Sequence, residues 1–197
     1  MTRPLLIMFL VLTLIAGGLA IYAGHLRNRV ATEEKRLAEQ PKVVLPSATG
    51  PMSPVSLYVA FDSEGNLHRV QDSLALPEER SERSRTILRA LLTRYMQDSS
   101  SHAIGESSDV LDVFLLGPDT AVVNTSAGFA DSHPSGVLAE ELTIASMALT
   151  LNANDPRITR VKILVDGKER ETLAGHADLQ GFYDAASLEQ LLEQQPK

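Results

Sequence analysis

The sequence predicts an α+β fold: a single mixed β-sheet with two main helices packed on one face, preceded by one transmembrane helix. Apolar residues alternate with a period of two in several short segments, as they do in half-buried strands. They recur at helical spacing in two longer segments, and an uninterrupted apolar run lies near the first residue. The 197 residues leave room for one ordinary domain and its attachments.

The composition argues against several classes of protein. With 18 basic and 25 acidic residues the formal net charge is -7, so the chain has no excess of cations for sequence-independent binding to nucleic acid. It contains no cysteine, which removes disulfides, thiolate metal sites, a cysteine nucleophile and the lipid acceptor of a bacterial lipoprotein. We therefore expect any membrane anchor to be the polypeptide itself.

Residues 1–24 are predicted to form an N-terminal transmembrane anchor. Residues 5–22 carry no charged side chain and are long enough to cross a bilayer as a helix. A cleaved signal peptide is the alternative, because Gly18 and Ala20 fit the small-residue pattern of a cleavage site. The apolar run continues beyond them and exceeds the usual length of a cleavable segment, which favours an uncleaved anchor.

Residues 25–54 are expected to connect the anchor to the folded domain. The stretch 28–40 is charged and lacks Gly and Pro, which suits a juxtamembrane helix. Four Pro and one Gly among small polar residues then indicate an extended linker over 41–54. We assign residues 55–183 to the folded domain and 184–197 to a C-terminal tail with a short, loosely attached helix.

The strands are predicted from alternation and turn signals. A first hairpin joins 55–61 to 67–74 through a polar turn, and a second joins 110–116 to 121–124 through Gly117-Pro118-Asp119. A further strand is expected over 160–165. The Asp166-Gly167 pair behind it is the strongest short hairpin signal in the chain.

Two segments predict amphipathic helices. The first opens near Pro77 and Ser81, and its apolar residues follow helical spacing at Leu88, Leu91, Leu92 and Tyr95. The second takes Ser135 as its N-cap and ends before Pro156. Its apolar repeat consists of Leu138, Leu142, Ala145 and Leu149. We expect these repeats to face the core.

The end of the predicted domain carries a distinctive pattern. A helix ending in SMALTLNA is followed by VKILVDGKERETLAGHADLQGFY, which we interpret as a hairpin, a final strand and a loop. Its signature positions are Asp166, Gly167, Gly175, His176 and Asp178. This pattern resembles the GerMN domain, a sporulation and spore germination module of bacterial envelope proteins, over residues 55–183.

The resemblance implies an exported domain with no known catalytic activity and with a fold similar to the ring-building motifs of envelope assemblies. The charges beside the anchor point the other way, because Arg3 alone precedes it and four cations follow it: Arg27, Arg29, Lys35 and Arg36. The positive-inside rule would leave such a domain in the cytoplasm. On the resemblance we instead expect a single-pass protein of the cytoplasmic membrane with its C-terminal domain on the extracytoplasmic side.

His176 and Asp178 invite a metal or acid–base interpretation, since alternate residues of a strand share a face. A structural zinc site needs four ligands, and no partner spacing is found among His25, His68, His102 and His133. We therefore expect no metal and no cofactor. The structural interpretation has His176 bridging backbone groups in a tight loop and Asp178 pinning its turn.

Three other sets of polar residues are weighed in the same way. The run Ser99-Ser100-Ser101-His102 lacks the G-x-S-x-G context of a hydrolase and is interpreted as a mobile loop. Glu140 and Glu141 diverge by about 100° on a helix and cannot flank one bond, so they are assigned to compensation of the helix dipole. Anionic ligands or a solvated face, which we favour, are the alternatives for Arg85, Arg89 and Arg94.

The sequence as a whole favours a non-enzymatic module that self-associates or docks another envelope protein through a sheet edge or a helix face. The alternative is a cell-wall-directed ligand-binding or hydrolytic protein with a polar site at His176 and Asp178, joined by His133. Neither reading involves nucleic acid.

Overall fold

The computed structural model describes residues 50–193, and their side chains as far as residue 191. This part of the chain holds four helices and two β-sheets. In chain order the elements are β1 (Met52–Phe61), β2 (Asn66–Ala75), α1 (Arg80–Tyr95), β3 (Val110–Leu116), β4 (Thr120–Thr125), α2 (Ala127–Asp131), α3 (Val137–Asn154), β5 (Arg160–Val165), β6 (Tyr183–Asp184) and α4 (Ala185–Glu193).

The predicted anchor and juxtamembrane helix lie outside the described residues, together with most of the linker. Within residues 50–193 we find no helix with the length and apolar character that crossing a bilayer requires. The first strand begins at Met52, so the last part of the predicted linker is strand rather than an extended connection.

The α+β class is confirmed, but the prediction of a single sheet is wrong. β1 and β2 form a two-stranded antiparallel sheet of their own. The other strands form a four-stranded mixed sheet in the order β3-β4-β5-β6. In it β3 and β4 are the predicted antiparallel hairpin, β4 and β5 run parallel, and β6 pairs antiparallel with β5.

The first hairpin stays separate because side chains, and not another strand, bind the free edge of β1. The amides of Ser56 and Tyr58 donate to Asn154 Oδ1 at 3.0 Å and to Thr150 Oγ1 at 2.9 Å. The amide of Ala60 donates to the hydroxyl of Tyr95 at 2.9 Å. Since buried backbone donors need partners, these bonds take the place of the strand pairing that a single sheet would require.

Helix α3 is the centre of the domain. Its residues from Leu142 to Leu151 are all buried, as expected of a helix with neighbours on every side. It contacts β1, α1 and α4, whereas α1 packs chiefly on β3 and also touches β1. The two main helices therefore have different chief partners, which are β3 of the four-stranded sheet for α1 and β1 of the two-stranded sheet for α3.

The C-terminal helix packs more closely than expected. Ala185 is buried, and Leu188 packs against the hydrophobic core. The helix contacts α3 as well as β6. The segment predicted to be loosely attached is thus part of the packed domain, at least as far as residue 191.

Candidate functional site

A buried carboxylate in the first turn of α3 holds residues 174–182, which precede β6 and which we call the closing loop. Glu140 is 0% exposed. Its Oε2 accepts backbone hydrogen bonds from Ala174, His176 and Ala177 at 2.9 to 3.0 Å. Its Oε1 accepts from His176 Nδ1 at 2.9 Å and from the amide of Gly136 at 3.1 Å. We call these residues the Glu140 cluster.

The Glu140 cluster fixes the charge of this carboxyl group. Burial raises its pKa, but the bond from His176 and the backbone bonds outweigh burial and lower the pKa of Glu140 to about 2. The bond to Gly136 also satisfies the N-cap amide of α3, which has no side-chain cap. The cap predicted at Ser135 is therefore wrong, and Glu140 does more than compensate the helix dipole.

The signature residues of the closing segment have separate structural partners. Asp166 and Gly167 have φ angles of 48° and 70°, which the predicted turn requires. Asp166 Oδ1 accepts from the amide of Ala127, and Asn124 Oδ1 accepts from the amide of Gly167. The turn is confirmed, and its hydrogen bonds hold it against the end of β4 and the start of α2.

The predicted final strand does not form. Thr172 and Asp178 make a single isolated bridge, and Gly175 adopts a φ of 122° that favours glycine. His176 faces Glu140, whereas Asp178 Oδ1 accepts from the amide of Gln180 at 2.8 Å and pins a turn, as predicted. His176 and Asp178 thus bind different partners. Among the described residues no group of three His, Cys, Asp or Glu side chains is placed to hold a metal.

A second buried cluster joins two histidines through the Thr143 hydroxyl. His102 and His133 place Nε2 at 2.6 and 2.7 Å from Thr143 Oγ1. The Nδ1 of His102 donates to Asp62 at 2.5 Å, and that of His133 donates to the carbonyl of Pro134 at 2.8 Å. His133 therefore belongs to this cluster and not to a site with His176.

The Thr143 hydroxyl is the shared partner of this cluster. Both Nδ1 atoms carry a hydrogen, because carboxylate and carbonyl oxygens only accept. The Thr143 hydroxyl has a single hydrogen, and its oxygen also lies 3.0 Å from the carbonyl of Ala139, one turn earlier on α3. Burial, together with the nearby His102, lowers the pKa of His133, although the Pro134 bond opposes the change. Burial of His133 therefore favours its neutral form, in which Nδ1 donates to Pro134 and Nε2 faces the Thr143 hydroxyl.

The loop prediction for residues 99–102 is corrected by the same cluster. His102 is almost fully buried, and its ring meets Tyr95 edge-on. Ser100 Oγ donates to the carbonyl of His102, and Ser101 Oγ donates to that of Ala60. The hydroxyls bind backbone groups, so they hold a core residue in place instead of forming a nucleophile.

The arginines of α1 tie elements together. Arg85 and Arg89 donate to the carbonyls of Leu111 and Val110 on β3, both at 3.1 Å. Arg94 binds Asp72 of β2 at 2.6 Å and is the main cause of its lowered pKa. The structure therefore supports neither a freely solvated arginine face nor one open to anionic ligands.

An apolar groove lies between α3 and α4. It encloses about 500 Å³ and is partly open, since Leu138 is 42%, Phe182 49% and Leu191 60% exposed. Glu141 and Asp184 also line it. The other lining residues are Leu142, Ala145, Tyr183, Ser187 and Leu188. We call this feature the α3–α4 groove.

The Glu140 cluster and the groove are joined through the closing loop. Beyond Ala177 the carbonyl of Asp178 accepts a hydrogen bond from the Tyr183 hydroxyl. Arg160 stacks on the ring of Phe182, with Cζ 4.5 Å from the ring centroid. These contacts set the wall of the groove. The α3–α4 groove was not predicted from the sequence, in which Leu138 was assigned to the core and Phe182 had no assigned role.

The sequence matches the Germane family, described as sporulation and spore germination, over residues 56–171. The chain belongs to the Germane family. The matched part of the Germane domain runs from β1 to just before the closing loop, so it includes Asp166 and Gly167 but not Gly175, His176 or Asp178. No curated protein matches the sequence.

Several solved structures are similar in fold to this Germane domain. A protein described as a lipoprotein, from Clostridium perfringens, is 20% identical, covers 69% of this chain and 89% of its own, and gives a TM-score of 0.47. The first GerMN domain of the sporulation protein GerM from Bacillus subtilis is 18% identical and covers 66% and 94%, with a TM-score of 0.47. The tandem GerMN domains of the same protein give the same identity and TM-score, but only 44% of that chain is covered.

We predict that replacing Glu140→Gln destabilises the domain more at neutral pH than in acid. Because the pKa of Glu140 is about 2 in the fold against a reference value of 4.5, its contribution, about 3 kcal/mol, is complete above pH 4.5 and is lost as the pH falls towards 2. Urea unfolding at pH 7 and pH 3 measures the difference between wild type and variant. Glu141→Gln is the matched control, and an equal loss for Glu140→Gln at both pH values would contradict the assignment.

We predict that Thr143→Val costs about 2 to 4 kcal/mol of unfolding free energy, because it leaves both imidazole Nε2 atoms unpaired in the core. Thr93→Val is the control: its hydroxyl bonds the carbonyl four residues earlier, as that of Thr143 does, but it is exposed. We expect the control to cost less than about 0.5 kcal/mol. Equal small losses in denaturant titrations would show that the histidine cluster does not depend on Thr143.

Proposed function

We propose that this Germane-family protein is a non-enzymatic interaction module of the bacterial cell envelope, and that the α3–α4 groove is its docking surface. The groove carries the proposal. Exposed apolar side chains that line a concave surface mark binding sites on soluble domains, and here they come from two helices and the closing loop. The family description places related domains in sporulation and germination.

The polar clusters of the domain favour binding over catalysis. Glu140 is fully buried and bonded to five donors, and the Asp62–His102–Thr143 chain ends in a buried hydroxyl. A nucleophile needs access to its substrate and a nearby site for the developing charge. The groove itself is lined mostly by apolar side chains, which suits recognition of another protein.

We further propose that residues 1–24 hold the domain at the outer face of the cytoplasmic membrane. The uncharged run over residues 5–22 matches the thickness of a bilayer. The groove then lies outside the cytoplasm, where it meets other envelope proteins. The protein would then be a single-pass membrane protein whose domain docks a partner or a second copy.

We predict that a photoreactive phenylalanine analogue at Phe182 forms a crosslink to a partner protein in intact cells. The same analogue at Phe114, on β3 and 51% exposed, is the matched control and should form none. Leu138→Asn should remove the Phe182 crosslink, because it places a polar group in the groove wall. Crosslinks that form equally at both positions, or that persist in Leu138→Asn, would rule out the groove as the docking surface.

We predict that a β-lactamase fused after residue 197 gives ampicillin resistance, and that the fusion stays with the membrane after a carbonate wash. A green fluorescent protein fused at the same place should remain dark if the domain is exported through the general secretory route. Fluorescence without resistance would put the domain in the cytoplasm. A shortened protein released from the membrane would identify residues 1–24 as a cleaved signal.

A further inference from the structure

The α3–α4 groove selects for one kind of partner. Both of its long walls are helices, whose backbone groups are bonded internally, so neither wall has free amides to pair with a strand. β6 is the only strand at the groove within the described residues, and it is two residues long before α4 begins. Strand addition needs a longer open edge. The groove must therefore bind through side chains.

The spacing of the apolar residues fits a helix. Leu138, Leu142 and Ala145 lie at i, i+4 and i+7 on α3 and form one stripe, with Leu142 and Ala145 buried at the floor of the groove and Leu138 exposed at its rim. Leu188 and Leu191 continue the lining on α4. An amphipathic helix laid between two such helices can fit its own i, i+3, i+4 and i+7 residues into the space between them.

The charge along the groove is negative. Glu141 and Asp184 line it, and no lysine or arginine among the described residues does. Arg160 stacks on Phe182 and, after the hydrogen bonds from Ser187, helps to lower the pKa of Asp184, so the negative charge of the groove depends chiefly on Glu141. Glu141 also affects the neighbouring Tyr183, whose pKa is raised to about 12, first by burial and then by the negative charges of Asp178, Glu141 and Glu140. A partner with cations beside its apolar stripe would be attracted, whereas anionic lipid headgroups would be repelled.

We propose that the α3–α4 groove binds a cationic amphipathic helix of another protein, with its leucine-like residues on the stripe and its lysines or arginines beside Glu141 and Asp184. This inference rests on the proposed docking function and names the chemistry of the partner. A second copy of this chain is a poor candidate, because the arginines of its amphipathic helix α1 are already engaged.

The test uses the full chain in nanodiscs of uncharged phosphatidylcholine and three fluorescent peptides of about 18 residues. One has leucines at i, i+3, i+4 and i+7 flanked by lysines, the second has glutamates in place of the lysines, and the third is a scrambled order of the first. Binding is read by fluorescence anisotropy. Subtracting the signal of empty nanodiscs removes the contribution of the lipid.

We expect the leucine–lysine helix to bind at least about tenfold more tightly than the leucine–glutamate helix and the scrambled peptide. Glu141→Gln should weaken its binding about threefold, and raising the salt from about 50 to about 500 mM should do the same. Leu138→Asn should abolish binding, whereas Phe114→Ser should change nothing. Circular dichroism of each variant shows that the fold is intact.

Three outcomes would overturn the proposal. These are equal binding of the leucine–glutamate helix, binding that is unchanged by both Glu141→Gln and Leu138→Asn, and a lipid as the species crosslinked at Phe182. If the peptides fail to discriminate while the Phe182 crosslink to a protein still depends on Leu138, the groove docks a partner of different chemistry. If that crosslink also fails, the docking function itself is wrong.

Discussion

A single buried carboxylate organises the part of the molecule to which we assign a function. An unexposed charge is tolerated only if donors surround it, and Glu140 gathers all of them from the N-cap of its own helix and from the closing loop. The loop consequently has little freedom between Ala174 and Ala177. This restraint also fixes the positions of Phe182 and Tyr183 further along the chain, which form one wall of the groove.

The central helix α3 extends this dependence to the rest of the domain. Its first turn carries Glu140, its middle carries Thr143 of the histidine cluster, and its last turns carry Thr150 and Asn154, which bind the first hairpin. Three separate pieces of structure are thus attached to one element by polar side chains, while its apolar residues build the core. A shift of this helix would be felt in all three.

Local patterns in the sequence were sufficient for the elements and insufficient for their assembly. Alternation, helical spacing and turn signals predict β1 to β5, the two long helices and the Asp166-Gly167 turn, because these depend on neighbouring residues, but they also predict a final strand that does not form. The separation of the two sheets depends on bonds such as Ser56 to Asn154, which joins positions far apart in the chain. The sequence does not predict the candidate site for the same reason. Glu140 and His176 are far apart in the chain and meet only in the fold. Leu138 fits the pattern of a core residue, although it is exposed at the groove.

The bonded edge of β1 also bears on what the domain can avoid. A ten-residue strand with open amides is a template for another chain and a starting point for aggregation. Asn154, Thr150 and Tyr95 occupy those amides, and Ser101 and Asn154 occupy the carbonyls of Ala60 and Ser56. Side chains here occupy the backbone groups with which another strand would otherwise pair. The domain can therefore keep a long hairpin without uncontrolled sheet growth on that side.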